Sequence, residues 1–176
     1  MMVLFTIEAM SSMYYESGIE IKLYPNEMLL CRMIGSLRVL SSTNNNFKTS
    51  ETNVKRGQKS QLEYDIDGVL GEYAFCKHFN VWFNFDVRYV PNSWDAMLLG
   101  KRFDIKSTDK PNGGLLDGMK INENIDVYAL AFINGDTVTL KGYLPRHEFI
   151  KDENIQFVAN GNVYLVSEDK LKRFKR

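Results

Sequence analysis

Residues 18–24, Gly-Ile-Glu-Ile-Lys-Leu-Tyr, alternate apolar and polar, which predicts an edge strand or extended arm. The spacing lengthens to a helical period over Pro25 to Leu40, where Leu29, Met33, Leu37 and Leu40 mark a stripe that Leu30 and Ile34 widen. Its methionines read as core filler. Residues 41–60 are mostly Ser, Thr, Asn and Lys, a composition that buries little surface and predicts a mobile polar loop.

Helical spacing returns between Asp67 and Phe79. Val69, Cys76 and Phe79 fall on one face, Asp67 is the expected N-cap, and Gly68 and Gly71 are expected where a neighbouring backbone comes close. Glu72 lies inside this apolar stripe. Left unpaired there, a carboxylate costs on the order of several kcal/mol, so it needs a cation, a hydrogen-bond donor or a raised pKa. The plainer alternative is a glutamate at the edge of the stripe, reaching water through its stem.

Strand signals dominate the second half. Val81 to Val90, with Trp82, Phe83, Phe85 and Tyr89, predicts a strand on which Asn84, Asp86 and Arg88 share a face. Asp95–Leu99 and Arg102–Thr108 predict a hairpin closed by Gly100-Lys101, with Asp95 facing Lys106 and Met97 facing Asp104. Asp95, Asp104 and Lys106 then share one face, while Phe103 and Ile105 enter a core. Ile125 to Ile133 is nearly all apolar, as in a central strand covered on both faces, and Asn134-Gly135-Asp136 turns the chain into a partner strand, Thr137 to Tyr143. Beyond residue 145 a helical turn, a strand around Asn162 to Val166 and a short basic helix are expected.

Two carboxylates and a lysine on one hairpin face suit a hard divalent cation. Without a His or Cys cluster, oxygen ligands favour Mg²⁺ or Mn²⁺ over zinc, and Lys106 would hold or activate a water. An isolated Asp-x-Lys is more often a cross-strand salt bridge on a solvated hairpin. The rest of the chain offers no competing chemistry: His78 and His147 have no ligand spacing, no serine or cysteine nucleophile motif is present, and Gly113-Gly114 lacks the Lys-Ser/Thr of a phosphate loop.

The order Glu72 on a helix, then Asp95, then Asp104-Ile105-Lys106, with Ser107-Thr108 closing the strand, resembles the PD-(D/E)XK nuclease superfamily. The resemblance covers roughly residues 61 to 145. It implies an α/β (α+β) restriction-endonuclease-like fold, a mixed sheet flanked by helices, here with an N-terminal helix and a short C-terminal extension. It also implies a nuclease that hydrolyses phosphodiester bonds with Mg²⁺ or Mn²⁺, in DNA or alternatively RNA. By the same resemblance Glu72, Asp95, Asp104 and Lys106 are catalytic, and Glu72, Asp95, Asp104 and the Ile105 carbonyl hold the metal. Two features depart from the family pattern. Trp94 stands before Asp95 where proline is usual, with Pro91 displaced upstream, and Asp109 to Asn124 is too rich in Gly, Asn and Pro for the helix the family places there. The layout is also similar to small nuclease-like proteins of bacteriophages, which implies the host cytoplasm as the place of action. A homodimer is expected by analogy with enzymes that cut both strands.

At 176 residues and 44% hydrophobic, the chain suits one domain spanning 1–176. A formal net charge of +0 excludes blanket attraction to nucleic acid, so any contact must be local. Lys101 and Arg102 at the hairpin, with Lys110 and Asn112 after the triplet, are the expected nucleic-acid contacts. Lys55, Arg56 and Lys59, and the basic tail from Lys170 to Arg176, are secondary candidates. Cys31 and Cys76 lack partner motifs and read as reduced thiols, and no stretch is apolar enough to span a bilayer, so a cytoplasmic protein without a membrane partner is expected. The competing function is a non-catalytic nucleic-acid or protein-interaction module on the same scaffold.

Overall fold

The most apolar run of the chain takes the middle of the main sheet. The computed structural model describes residues 18–44, 59–88, 93–158 and 161–175. In it β5 (Val127–Asn134) lies between β6 (Thr137–Pro145), to which it is antiparallel, and β3 (Lys101–Thr108), to which it is parallel. The short strands β1 (Ile19–Lys22) and β2 (Ala96–Leu98) form the edges, giving the order β1-β6-β5-β3-β2. A second sheet, β4-β8-β7, is built from β4 (Leu115–Gly118), β7 (Ile155–Val158) and β8 (Gly161–Val166). The helices are α1 (Pro25–Asn44), α2 (Gln61–Phe79) and the short α3 (Arg146–Phe149). Together they make a mixed α/β fold. Among the described residues no helix is long and apolar enough to cross a membrane.

Alternation along the central strands sends side chains into two cores. Ala129, Ala131 and Ile133 of β5 and Phe103 and Ile105 of β3 pack with Val69, Phe75 and Cys76 of α2 and Cys31 and Ile34 of α1. Tyr128 and Leu130 face the other way, into a cluster with Leu115, Phe149, Tyr164 and Val166 that joins the main sheet to the small one. Both faces of β5 are therefore covered, and this is why its sequence shows no polar alternation.

Several elements differ from their sequence-based expectation, each for a local reason. Helix α2 begins six residues before Asp67: Ser60 is the N-cap, and it forms a capping box with Glu63. Asp67 instead pairs with Lys59 at 2.7 Å. The stripe Leu29, Met33, Leu37 and Leu40 faces outward, with Leu29 59% and Leu40 58% exposed. The buried face carries Cys31, Ile34 and Gly35, because α1 crosses α2 where a Cβ on Gly35 would stand 3.0 Å from the Ile66 Cα. Small residues at the crossing decided which face packs, and apolar bulk did not.

The hairpin turn is Leu99-Gly100, both with positive φ (51° and 72°), as a two-residue type I′ turn requires. Leu98 therefore pairs with Lys101, Met97 with Arg102 and Ala96 with Phe103. This register differs by two residues from the expected one, so the side chains of the paired residues keep their faces, while Asp95 lies just outside the ladder. Residues 81–87 form no ladder. Asn84 and Asp86 bond their own backbone two residues on, and the carbonyls of both accept from Arg38. Strands β4 and β7 were not expected, and the C-terminal segment makes a 3-10 turn at Glu168–Lys170 in place of a basic helix. The expected polar loop lies mostly outside the described residues: 41–44 extend α1, 59–60 lead into α2, and 45–58, with Lys55 and Arg56, are not described.

Candidate active site

The site is built around Asp95, where β2 leaves the sheet edge. Its backbone N–H donates to the Phe103 carbonyl at 2.8 Å, and its Oδ2 accepts from the Ile105 N–H at 2.7 Å. The carboxylate thus continues the ladder where the backbone of β2 has stopped. No other hydrogen bond to this side chain occurs among the described residues. The ladder ends at Ala96 opposite Phe103, and the Asp95 carboxylate reaches past it along β3 to the Ile105 N–H, within the field of Asp104.

On β3, Phe103 and Ile105 point to the helix side, so Asp104 and Lys106 point to the small sheet. Lys106 Nζ lies 3.0 Å from Asp104 Oδ2 and 3.1 Å from Asp117 Oδ1 on β4. Asp117 was not singled out in the sequence, because the segment carrying it gave no strand signal. Tyr128, paired with Asp104 across β3 and β5, is fully buried, and its hydroxyl has no hydrogen-bond partner among the described residues.

Glu72 enters from the helix layer. Among the described residues it is the one buried charged side chain, and Arg38 of α1 spans both its oxygens, with Nη1 at 3.0 Å from Oε1 and 2.8 Å from Oε2. Gly71 makes this depth possible, since a Cβ there would stand 2.3 Å from the Ser107 Oγ and 3.1 Å from the Ala131 Cβ. Gly68, by contrast, faces open space.

Electrostatics ties these groups into one constellation. Burial pushes the Asp95 carboxyl well above the usual carboxylate range, the charges of Glu72 and Asp104 push it further, and the Ile105 N–H and Lys106 oppose the shift. Asp104 is also raised, by burial, against the pull of Lys106 and with the push of Asp117. Glu72 is raised by burial against the pull of Arg38. Burial works against the charge of Lys106, but Asp104 and Asp117 outweigh it and raise its pKa. The Tyr128 hydroxyl is pushed up to about 12 by burial and then by Asp117 and Asp104. All the groups named act on at least one of the others.

The expected nucleic-acid contacts are spread around this centre. Lys101 is exposed at the hairpin, and Lys110 and Asn112 are exposed in the loop between β3 and β4. Arg102 is engaged by Asp126 through Nε–Oδ2 at 3.0 Å and Nη2–Oδ1 at 3.1 Å. Lys59 bridges Asp67 and Asp109, while Lys172 pairs with Glu148 and Arg173 with Glu168. Trp94, beside Asp95, is 40% exposed.

Whether these residues suit a divalent ion depends on their donors. Asp95 is a half-buried carboxylate with no salt bridge among the described residues, it lies within the field of half-buried Asp104, and with the Ile105 carbonyl these hard oxygen donors fit Mg²⁺ or Mn²⁺. Among the described residues no three His, Cys, Asp or Glu side chains meet closely enough to form a metal group by themselves. No family model, no curated protein and no solved structure matches the chain.

Proposed function

We propose that the protein is a metal-dependent nuclease of the restriction-endonuclease-like type, hydrolysing phosphodiester bonds in DNA. The observation that carries this reading is the Asp95 carboxylate, fixed by the Ile105 N–H and without a salt bridge among the described residues, within the field of Asp104, with Lys106 two residues beyond Asp104 on the same strand. The antiparallel β2-β3 hairpin, the parallel pairing of β3 with β5 and the acid-bearing helix before them support it.

Asp95, Asp104 and the Ile105 carbonyl would hold the ion, and Glu72 completes the acidic set. When bound, Mg²⁺ or Mn²⁺ lowers the pKa of a water and neutralises charge on the scissile phosphate. Lys106, kept charged by Asp104 and Asp117, orients the attacking water and stabilises charge developing on the phosphate. The Ile105 N–H fixes the Asp95 carboxylate, and Lys101, Lys110 and Asn112 lie exposed where a polyanion can reach them.

Purified protein incubated with supercoiled and linear DNA, with Mg²⁺ or with EDTA, tests this reading. Cleavage should require the metal, and Lys106→Ala should lower the rate by about 100-fold or more, as loss of a charge-stabilising donor does. Unchanged cleavage by Lys106→Ala, or none by the wild type on any DNA form, refutes it.

One observation favours a second reading, a non-catalytic module on the same scaffold: no three-residue metal group forms among the described residues. Such a module would bind nucleic acid or protein without Mn²⁺, and its binding would survive Asp104→Asn.

A further inference from the structure

Glu72 differs from the other acids in having both oxygens occupied by a cation from outside the triplet. Arg38 Nη1 spans them, and the same guanidinium is fixed by the carbonyls of Asp86 (Nε, 3.2 Å) and Asn84 (Nη2, 3.1 Å). An arginine held by three partners does not swing aside at little cost. The other acids are held differently: Asp104 and Asp117 share Lys106, and Asp95 accepts from the Ile105 N–H. Asp65, two turns earlier on α2, acts on Glu72 more weakly than Arg38 and Asp104 do.

One other observation agrees. The buried Tyr128 hydroxyl, without a partner among the described residues and within the field of Asp117 and Asp104, is a polar atom that a water of a hydrated ion would satisfy.

We propose that this chain holds a single divalent ion between Asp95 and Asp104, and that Arg38 withholds Glu72 from it, so the helix acid anchors an arginine at the site and does not ligate metal. This rests on the metal-dependent reading above. The test is calorimetric titration with Mn²⁺ alone, which needs no activity. The wild type should bind one ion per chain, and Asp104→Asn should weaken binding about 10-fold or more, the scale of losing a metal-site partner. The charge-neutral double variant Arg38→Gln with Glu72→Gln should keep one site, with Kd within about threefold of wild type, below that same scale. If the amide pair does not fold, Arg38→Met with Glu72→Leu takes its place, since apolar replacement of a buried ion pair is tolerated.

Two ions per wild-type chain would overturn the proposal, as would a folded double variant whose affinity falls about 10-fold or more. If the wild type binds no Mn²⁺, or Asp104→Asn binds it unchanged, the cation reading fails and this inference fails with it. The double variant alone decides whether Glu72 is a ligand, so the two failures are distinguishable.

Discussion

Two alanine substitutions three positions apart on α2 should have opposite effects on stability. In Gly71→Ala the new Cβ would lie 2.3 Å from the Ser107 Oγ, 3.1 Å from the Ala131 Cβ and 3.5 Å from the Ile105 Cγ2. The Ser107 hydroxyl can rotate, but Ala131 has no rotamer to change, so α2 must lift from the sheet. Overpacking of this kind costs about 1–3 kcal/mol. Replacing a helical glycine with alanine returns about 0.8–1.0 kcal/mol, which leaves Gly71→Ala destabilised by about 0–2 kcal/mol. Gly68→Ala receives the same return with nothing within 4 Å, so it should stabilise by about 0.8–1.0 kcal/mol. The difference between the two cancels the propensity term and isolates the contact, at about 1–3 kcal/mol. Urea denaturation of both variants measures it. Adding Ser107→Ala to Gly71→Ala should recover part of the loss by removing the nearest atom. If Gly71→Ala proves as stable as Gly68→Ala, the close packing of α2 on β3 and β5, and with it the depth assigned to Glu72, is refuted.

Other consequences can be checked separately. Because the folded pKa of Asp95 is raised, its ionisation destabilises the metal-free protein above that pKa, and the penalty disappears as pH falls toward the ordinary carboxylate value. In EDTA, Asp95→Asn should therefore be more stable than wild type by about 0.5–2 kcal/mol at neutral pH, with the gap closing on acidification, and a pH-independent gap in paired melts would contradict this. Arg38→Ala strands a buried carboxylate and should cost about 3–5 kcal/mol in denaturant, against a much smaller loss for the paired Arg38→Gln and Glu72→Gln change. Asp117→Asn leaves Lys106 with one acid instead of two and should lower the cleavage rate about 10-fold while Mn²⁺ affinity stays near wild type, as read by kinetics beside calorimetry. On α1, Met33→Glu should change stability by no more than about 0.5 kcal/mol, whereas Ile34→Ala should cost about 2–5 kcal/mol.

Much of the architecture could be read from local pattern. The β5 run was recognisable because a strand covered on both faces excludes polar side chains, and Asn134-Gly135-Asp136 was recognisable because glycine takes the positive φ the turn needs, 62° at Gly135. The shared face of Asp104 and Lys106 followed from strand period and survived a turn displaced by one residue, since the two-residue shift in pairing preserves parity. Residues 81–87 misled because aromatic content signals β propensity, while Asn84 and Asp86 bond their own backbone and Arg38 takes their carbonyls.

The sequence alone placed the carboxylates and the lysine on the chain, set the alternation that gives Asp104 and Lys106 one direction, and put Glu72 within an apolar helical face. Tertiary structure decided who their partners are. Arg38, 34 residues before Glu72, and Asp117, on a strand of another sheet, meet the site only because α1 crosses α2 at Gly35 and β4 joins the small sheet over β3. Periodicity reports which side of an element is buried, because burial repeats with backbone geometry. It carries no information about which distant charge fills the space opposite, since that depends on how closely two surfaces can approach.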